Sequence, residues 1–501
     1  MAEKRKCNLE SATTNGTDQA VPSKKPAKTN GHARAVPMDD LREKAKQFGC
    51  ELTSCEFAEK MDKEDPLASL REDFVYPKMK DLPSVDLSLV KPDDECIYFC
   101  GNSLGLQPRN VRHYLDTELE KWGQHGVHGH FTGQLPWAHC DEVLIKDMAT
   151  IVGALPDEVA IMNGLTVNLH LLLISFYSPT PKRHKIIIES KAFPSDHYAA
   201  ESQIRLHGYD PATSLICIEP RKGEYGLRTE DVLSVIEKEG DSVAVVMLAA
   251  VQFYTGQLFD MPEITKKGHS KGCYVGFDLA HAVGNVEMSL HDWDVDFAVW
   301  CSYKYLNSGA GSIAGAFLHS RLAHTIPPKL IGWWGHQFKS RFAMTNELEL
   351  SPGISGFRIS NPSIFATCPL RASLDVFNKT SMRELRTKSR LLTAYLEHLL
   401  DVHFGRTSPQ RKSKEFITIL TPRDPEERGA QLSLYFSISI ERIHEEMMKR
   451  GIVCDERKPN VIRIAPAPLY CGFRDVWKFV DALHAIMEIA ESPDNLDREL
   501  D

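Results

Sequence analysis

The chain has 501 residues, with 59 lysines and arginines against 68 aspartates and glutamates, so its formal net charge is −9. Apolar residues make up 42% and charged residues 25%, which is typical of a soluble globular chain long enough for more than one folding unit. The acidic surplus argues against a body that binds nucleic acid. No apolar run approaches the roughly 20 residues of a membrane-spanning helix. The 12 scattered cysteines include no C-x-x-C pair, which favours reduced thiols and a cytoplasmic protein.

The N-terminal part of the chain predicts a tail followed by helical structure. Residues 1–37 hold seven basic and three acidic residues, a net charge of +4 that leaves −13 for the remainder. Few of them are large and apolar, which predicts a disordered basic tail, with a nuclear import signal as the alternative. Residues 38–100 are predicted to be an N-terminal helical segment, amphipathic from Met38 to about Asp65. Pro108 is predicted to open a helix that runs to Gly123.

Residues 101–363 predict a large α/β domain. Short apolar runs alternate with helical patterns, which indicates a mostly parallel central sheet flanked by helices. The predicted strands are Lys185–Ile188, Val243–Ala250, Tyr274–Asp278, Phe297–Cys301 and Ile313–Leu318. After Ser363 the pattern changes to a smaller α+β domain at 364–501, where Ser381 and Glu384 form a capping box at the start of a long helix.

The strand ends carry the residues that indicate chemistry. Asp278 ends one buried strand, and Lys304 follows the next strand 26 residues later. Ligands of α/β sheets bind at the carboxyl ends of the strands. A lysine amine and an aspartate are what pyridoxal phosphate needs, the first for its Schiff base and the second beside its pyridine nitrogen. The helix after Asn163-Gly164-Leu165-Thr166 offers a terminus for the phosphate.

Other interpretations of these residues remain open at this point. Singly, Asp278 could cap a turn and Lys304 could extend to solvent. Gly101-Asn-Ser-Leu-Gly105 fits the nucleophile motif of a serine hydrolase with Ser103 as nucleophile, although Pro108 follows too soon for the required helix. Glycines 309, 311 and 315 resemble a loose dinucleotide fingerprint but precede a strand-like run instead of a helix. A non-catalytic scaffold would not need Lys304 and Asp278.

Six strings of the sequence resemble the kynureninase family. They are G-N-S-L-G-L-Q-P at 101–108, L-T-V-N-L-H at 165–170, K-A-F-P-S-D-H-Y at 191–198, F-D-L-A-H-A-V-G-N-V-E at 277–287, C-S-Y-K-Y-L-N at 301–307 and G-F-R-I-S-N-P at 356–362. The resemblance covers about residues 73–492. Tyrosine instead of histidine precedes Lys304, which distinguishes the sequence from the related cysteine desulfurases.

The resemblance implies a fold and an activity. The expected fold is that of a fold type I pyridoxal-phosphate enzyme of the class V aminotransferase superfamily, working as a homodimer in the cytoplasm. The expected reaction is hydrolysis of L-kynurenine to anthranilate and L-alanine, and of 3-hydroxykynurenine to 3-hydroxyanthranilate and L-alanine. This reaction belongs to tryptophan breakdown and to the de novo route to NAD. No partner other than a second copy and the small-molecule substrate is implied.

The resemblance also assigns roles to individual residues. Lys304 would carry the cofactor and shuttle protons, with Tyr303 beside it as the second predicted catalytic residue. The predicted cofactor-binding residues are Leu165, Thr166, Phe193, Pro194, Ser195, Asp196, Ala249, Asp278, His281, Tyr303, Lys304, Trp333 and Asn361. The predicted substrate-binding residues are His130, Ser360, Asn361 and Arg463, with Arg463 clamping the α-carboxylate.

Three details qualify these roles. Ala249 stands where a serine is expected, which puts one polar contact in doubt. His130 lies in H-G-V-H-G-H, for which a surface loop or an adventitious metal clip is nearly as good an interpretation. Trp333 and Asn361 are expected to reach across the dimer interface. No resident metal is predicted.

Overall fold

The structure is a computed structural model that describes residues 37–492, so the predicted tail lies almost wholly outside the described residues. The helices are α1 (Pro37–Phe48), α2 (Cys55–Glu64), α3 (Val111–His125), α4 (Ile145–Val152), α5 (Leu165–Phe176), α6 (Pro194–Leu206), α7 (Pro211–Ser214), α8 (Thr229–Glu239), α9 (Met261–Ser270), α10 (Phe338–Arg341), α11 (Ile364–Phe377), α12 (Met382–Phe404), α13 (Ile440–Lys449) and α14 (Phe473–Ala490).

The strands form two larger sheets and two small pairs. They are β1 (Phe74–Val75), β2 (Ile97–Tyr98), β3 (Gln107–Pro108), β4 (Val159–Ile161), β5 (Lys185–Glu189), β6 (Leu215–Ile218), β7 (Val243–Ala249), β8 (Tyr274–Asp278), β9 (Phe297–Trp300), β10 (Gly315–Leu318), β11 (Ile417–Ile419), β12 (Leu432–Phe436), β13 (Ile452–Val453), β14 (Asp455–Arg457) and β15 (Val461–Ile464).

The seven-stranded sheet is the centre of the fold and has the order β4-β10-β9-β8-β7-β5-β6. Strands β6, β5, β7, β8 and β9 pair in parallel, whereas β10 is antiparallel to both β9 and β4. The strands are apolar along nearly their whole length because helices cover both faces of such a sheet. The predicted mostly parallel sheet is therefore confirmed, with its single reversal at β10.

Helix α5 shows how the sheet is covered. Its sequence L-T-V-N-L-H-L-L-L-I-S-F is apolar nearly all round, and residues such as Leu169 and Leu172 are completely buried. A helix of this composition belongs inside a protein rather than at its surface. It begins immediately after β4, so its N-terminus lies at the edge where the parallel strands end.

The structure corrects two predicted helices. The amphipathic pattern from Met38 to Asp65 is two helices, because Gly49 adopts a left-handed φ of 65° and Ser54 then caps α2. Pro108 does not open a helix: it lies in β3, opposite Phe74 of β1, and α3 begins three residues later at Val111. Proline is tolerated in such an edge strand because it needs no donor there.

The C-terminal part contains the antiparallel four-stranded sheet β11-β12-β15-β14. The predicted capping box is confirmed: Ser381 and Glu384 bond reciprocally at the start of α12. Strand β13 pairs in parallel with β2, so residues 97–98 lie beside residues 452–453. Among residues 37–492, no helix is both long and apolar enough to span a membrane.

Candidate active site

Four side chains converge at one edge of the seven-stranded sheet. Glu189, Ala249 and Asp278 are the last residues of β5, β7 and β8, and Lys304 follows β9 by four residues. Ala249 and Asp278 are direct partners in the parallel register. The carboxyl ends of parallel strands are where α/β sheets place their ligand sites.

A cavity of about 540 Å³ opens at this edge. Ten of the thirteen predicted cofactor-binding residues line it: Leu165, Thr166, Phe193, Ser195, Asp196, Ala249, Asp278, His281, Tyr303 and Lys304. The sequence did not predict four further lining residues, Val251, Phe253, Ala280 and Cys301. Pro194 is the first residue of α6 instead, where its fixed φ suits the start of a helix.

Lys304 contacts His281 directly. Its Nζ lies 3.0 Å from His281 Nε2 and 5.8 Å from the centre of the Phe193 ring. Burial, followed by the positive charge of Lys304, lowers the pKa of His281 well below its usual range. His281 is therefore neutral at neutral pH, and its Nε2 lies within hydrogen-bonding distance of Lys304 Nζ.

Asp278 and Asp196 form a buried carboxyl pair. Burial raises the pKa of both groups, and the charge of Asp278 raises that of Asp196 further. The hydrogen bond from Asp196, the charge of Lys304 and the Ala280 N–H (2.6 Å from Asp278 Oδ1) all act to lower the pKa of Asp278. The pKa of Asp196 is therefore raised more strongly than that of Asp278, and both carboxyl groups line the cavity.

Two helix N-termini meet at the wall of the cavity. Thr166 lies in the first turn of α5 and Ser195 in the first turn of α6, with 2.7 Å between their hydroxyl oxygens. Backbone N–H groups of a first helical turn are free to bind, and the helix dipole favours an anion. This arrangement fits a phosphate group, while Asp278 fits the pyridine nitrogen of the same cofactor.

Unpartnered buried polar atoms support a ligand at this site. Asp196 Oδ1 and His281 Nδ1 are both buried without a hydrogen-bond partner. Buried polar atoms are nearly always paired, so these two atoms indicate that the cavity receives a polar ligand. The donor set, the cradle of helix termini and the unpartnered atoms together fit pyridoxal phosphate.

Glu189 is a buried acid that the sequence did not single out, although a charged residue ends an apolar run there. Its side chain accepts a long hydrogen bond of 3.3 Å from the Ala249 N–H, and its Oε1 has no partner. Burial is the main cause that raises its pKa to about 7, and the negative charge of Asp278 adds to this. Glu189 is therefore largely protonated below neutral pH.

We expect Glu189→Gln to remove a pH-dependent loss of stability. A carboxyl whose pKa rises from about 4.3 unfolded to about 7 folded stabilises the fold fully below pH 4. That stabilisation is lost as the pH rises towards 7, because the unfolded chain releases the proton first. The free energy of unfolding of the variant, measured relative to that of the parent, should therefore increase by about 2–3 kcal/mol from pH 5 to pH 8. Urea unfolding at both pH values measures this, with the exposed Glu120→Gln as control. Parallel pH curves for parent and Glu189→Gln would contradict the assignment.

The turn at 101–105 explains a motif that could otherwise indicate a serine nucleophile. Gly105 N–H donates to Tyr303 O at 2.8 Å, and a Cβ on Gly105 would lie 2.3 Å from Lys304 O. The glycine thus lets the turn pack against the backbone that carries Lys304. The chain continues into β3 and not into a helix, so Ser103 does not occupy a nucleophile elbow.

The remaining predicted residues do not line the first cavity. His130, Trp333 and Asn361 line a second cavity of about 750 Å³, together with Trp137, Trp334 and Phe342. His130 Nδ1 lies 2.9 Å from Val127 O, and its ring packs 5.3 Å from that of Trp137. Ser360 is exposed and does not line either cavity. Arg463 is buried beside Phe253, which lines the first cavity.

Histidines elsewhere form a hydrogen-bonded cluster. Among the described residues, the grouping with metal-ligand spacing is Glu158 with His291 and His319, not the H-G-V-H-G-H run. His291 Nδ1 lies 2.9 Å from Glu158 Oε1, and the two imidazole rings are stacked at 26°. Glu158 also accepts a hydrogen bond from the Ser320 N–H at 2.8 Å, so it links His291 to the turn after His319.

Comparison with known proteins places this fold and site in a class. The family model for aminotransferase class V matches residues 105–423, and the model for the kynureninase C-terminal domain matches residues 385–483. A cysteine desulfurase from Thermococcus onnurineus superposes with a TM-score of 0.64 at 16% identity, covering 78% of this chain and 95% of its own. One from Escherichia coli gives 0.65 at 16% identity, over 85% and 99%.

The fold and the site together define a pyridoxal-phosphate-dependent enzyme of the class V aminotransferase type. Kynureninase of Rattus norvegicus is 57% identical over 91% of this chain and 98% of its own length. The Homo sapiens relative is 55% identical over the same shares, and that of Myxococcus xanthus is 50% identical over 85% and 96%. The chain belongs to the kynureninase family, whose cofactor is pyridoxal phosphate.

Proposed function

We propose that this enzyme hydrolyses L-kynurenine to anthranilate and L-alanine, and 3-hydroxy-L-kynurenine to 3-hydroxyanthranilate and L-alanine. The observation that carries the proposal is Lys304 beside His281 at the strand ends, in one cavity with Asp278 and with Thr166 and Ser195 of two helix N-termini. In a member of the kynureninase family, this arrangement supports a place in tryptophan breakdown and in the de novo route to NAD.

Different side chains of the cavity would bind different parts of the cofactor. Thr166, Ser195 and the first turns of α5 and α6 would bind the phosphate, with Phe193 beside the ring. Asp278 would hold a proton at the ring nitrogen, and Lys304 Nζ would attach the cofactor. When bound, pyridoxal phosphate supplies a sink for the electrons that the substrate α-carbon gains on losing its proton.

Lys304 is also the proposed proton carrier. Its Nζ reaches His281 Nε2, so a proton taken from the substrate can rest on a lysine that is already hydrogen-bonded to a neutral acceptor. Water then adds to the side-chain ketone carbon, the Cβ–Cγ bond breaks, and the Cβ receives a proton. Arg463 would bind the substrate α-carboxylate in the bidentate manner that arginine favours.

The proposed functional unit is a cytoplasmic homodimer. The second cavity contains three predicted ligand residues, His130, Trp333 and Asn361, that do not reach the first cavity within one subunit. Exposed apolar side chains surround it, including Phe131 at 59% and Trp333 at 45% exposure. Contiguous exposed apolar surface of this kind is typical of an interface. A second copy seated there would bring these residues towards its own cofactor site. The proposed large domain (101–363) would then carry the cofactor, and the small domain (364–501) would carry Arg463.

A direct assay tests the proposed function. Purified protein loaded with pyridoxal phosphate should release anthranilate and L-alanine from L-kynurenine in equal amounts, which fluorescence and amino-acid analysis measure. Ser103→Ala should retain this activity, since Ser103 has no role in the proposed mechanism. Absence of anthranilate from a cofactor-loaded protein would refute the proposal, and loss of activity in Ser103→Ala alone would favour the serine-hydrolase alternative.

A further inference from the structure

Arg463 is held on two sides at the edge of the cofactor cavity. Its side chain is 2% exposed. Its Nε donates to Asp455 Oδ1 at 3.0 Å, and its Nη2 lies 2.8 Å from Asp455 Oδ2. Its Nη1 donates to the backbone oxygen of Phe253 at 2.6 Å. Because Phe253 lines the cavity, these contacts fix the guanidinium directly beside a residue of the cavity wall.

The contacts of Arg463 with Asp455 and Phe253 do not use all the N–H donors of its guanidinium group. An arginine side chain has five N–H donors in a rigid plane. Asp455 and Phe253 engage three of them, and Arg463 has no other hydrogen-bond partner within residues 37–492. The two remaining donors belong to Nη1 and Nη2, one on each nitrogen. Two neighbouring N–H groups in a plane match the two oxygens of one carboxylate.

The sheet register explains why Asp455 can hold this geometry. Asp455 on β14 and Arg463 on β15 are direct partners in the antiparallel pair, so their side chains lie on the same face. Arg457, two residues further along β14, also bonds Asp455 Oδ1 through its Nη1 at 2.8 Å. Two arginines around one aspartate leave a local charge of +1, which suits a substrate that presents a single carboxylate there.

We propose that Asp455 is a positioning residue, which orients Arg463 so that its two free N–H groups receive the α-carboxylate of the substrate. The inference rests on the proposed function, in which Arg463 binds that carboxylate. Asp455 itself contacts neither the cofactor cavity lining nor Lys304, so its effect is on substrate binding and not on the chemical step.

The test is Asp455→Asn in the cofactor-loaded enzyme. The amide keeps the size of the side chain but loses the charge and one of the two acceptors, so Arg463 is no longer held in a bidentate pair. We expect the KM for L-kynurenine to rise about 10- to 100-fold, with kcat within about threefold of the parent. Asp231→Asn is the matched control, because Asp231 makes the same bidentate contact with Arg221 on the exposed surface, with both distances 2.7 Å; its KM should not change.

Comparing L-kynurenine with its methyl ester distinguishes a positioning role of Asp455 from a general structural role. The methyl ester of L-kynurenine lacks the carboxylate, so Asp455→Asn should lower kcat/KM about tenfold or more for the acid and leave it nearly unchanged for the ester. Binding of L-alanine, followed through the cofactor absorbance, should weaken by a similar factor without any turnover. An equal loss for acid and ester, or an unchanged KM for the acid, would overturn the inference.

A second variant covers the case in which Asp455→Asn does not fold. Asp455→Glu keeps the charge but moves the carboxylate by one methylene, and it should raise the KM of the acid about tenfold while sparing the ester. An equal change for both substrates again overturns the inference. Failure of the proposed function itself is distinguishable, because the parent enzyme would then release no anthranilate.

Discussion

Replacing Lys304 with arginine is expected to lower the release of anthranilate from L-kynurenine by at least about 10³-fold. The guanidinium keeps the positive charge next to His281, but it remains protonated and cannot act as a nucleophile or accept a proton. Asp278 and the two helix N-termini are unchanged, so the variant should still bind pyridoxal phosphate. Only the covalent attachment of the cofactor to residue 304 and the transfer of a proton by that residue should be lost.

Two measurements check this result for Lys304→Arg. Steady-state anthranilate fluorescence gives the rate, with the exposed Lys146→Arg as the matched control. Borohydride reduction followed by peptide mass analysis should find the cofactor on Lys304 in the parent and on no peptide in the variant. Turnover near that of the parent, or reductive labelling of a different lysine in the parent, would remove Lys304 from its assigned role.

Asp278→Asn is expected to reduce kcat/KM by about 10²- to 10³-fold, the usual loss when one charged group is removed from a water-excluded site. The amide keeps the shape but cannot hold a proton at the ring nitrogen by its charge. The absorbance of the bound cofactor should shift as well, because the protonation state of the ring changes. Spectra and kinetics on the same preparation measure both effects.

Asp196→Asn provides a matched control for that prediction. The pKa of Asp196 is raised more strongly than that of Asp278, so we expect Asp196 to be the protonated member, and an amide reproduces that neutral, hydrogen-donating state. We expect it to lose less than about tenfold in kcat/KM and to leave the cofactor spectrum nearly unchanged. Equal losses in the two variants would show that the charge is not localised on Asp278.

The central strands could be predicted from sequence because buried parallel strands are continuous apolar runs. The direction of the strands could not be predicted from the sequence, because β10 has the same apolar character as β9. The reversal of β10 depends on the turn around Gly309 and Gly311, whose φ values are 82° and 69°. The break after α1 depends in the same way on the left-handed Gly49. Apolar periodicity records burial and carries no information on direction.

The cofactor site could be predicted because its parts lie at strand ends, where position along the chain fixes position in space. Glu189 and Asp455 could not be identified in this way. Glu189 matters because of its burial between neighbouring strands, and Asp455 because of its register opposite Arg463. Both properties arise from pairing between segments that are distant in sequence. Gly105 is an intermediate case, since its motif is visible but its contact with Lys304 is not.

The pairing of β2 with β13 also sets an order of events during synthesis. The cofactor edge is complete once residues up to Leu318 have emerged, because β4 to β10 all lie before that point. The sheet that carries Asp455 and Arg463 needs the last tenth of the chain, and residues 97–98 gain their partner only when residues 452–453 arrive. Since chains emerge from the ribosome N-terminus first, β2 must wait unpaired through most of translation. A nascent chain can therefore acquire its cofactor edge before it acquires the arginine that recognises the substrate.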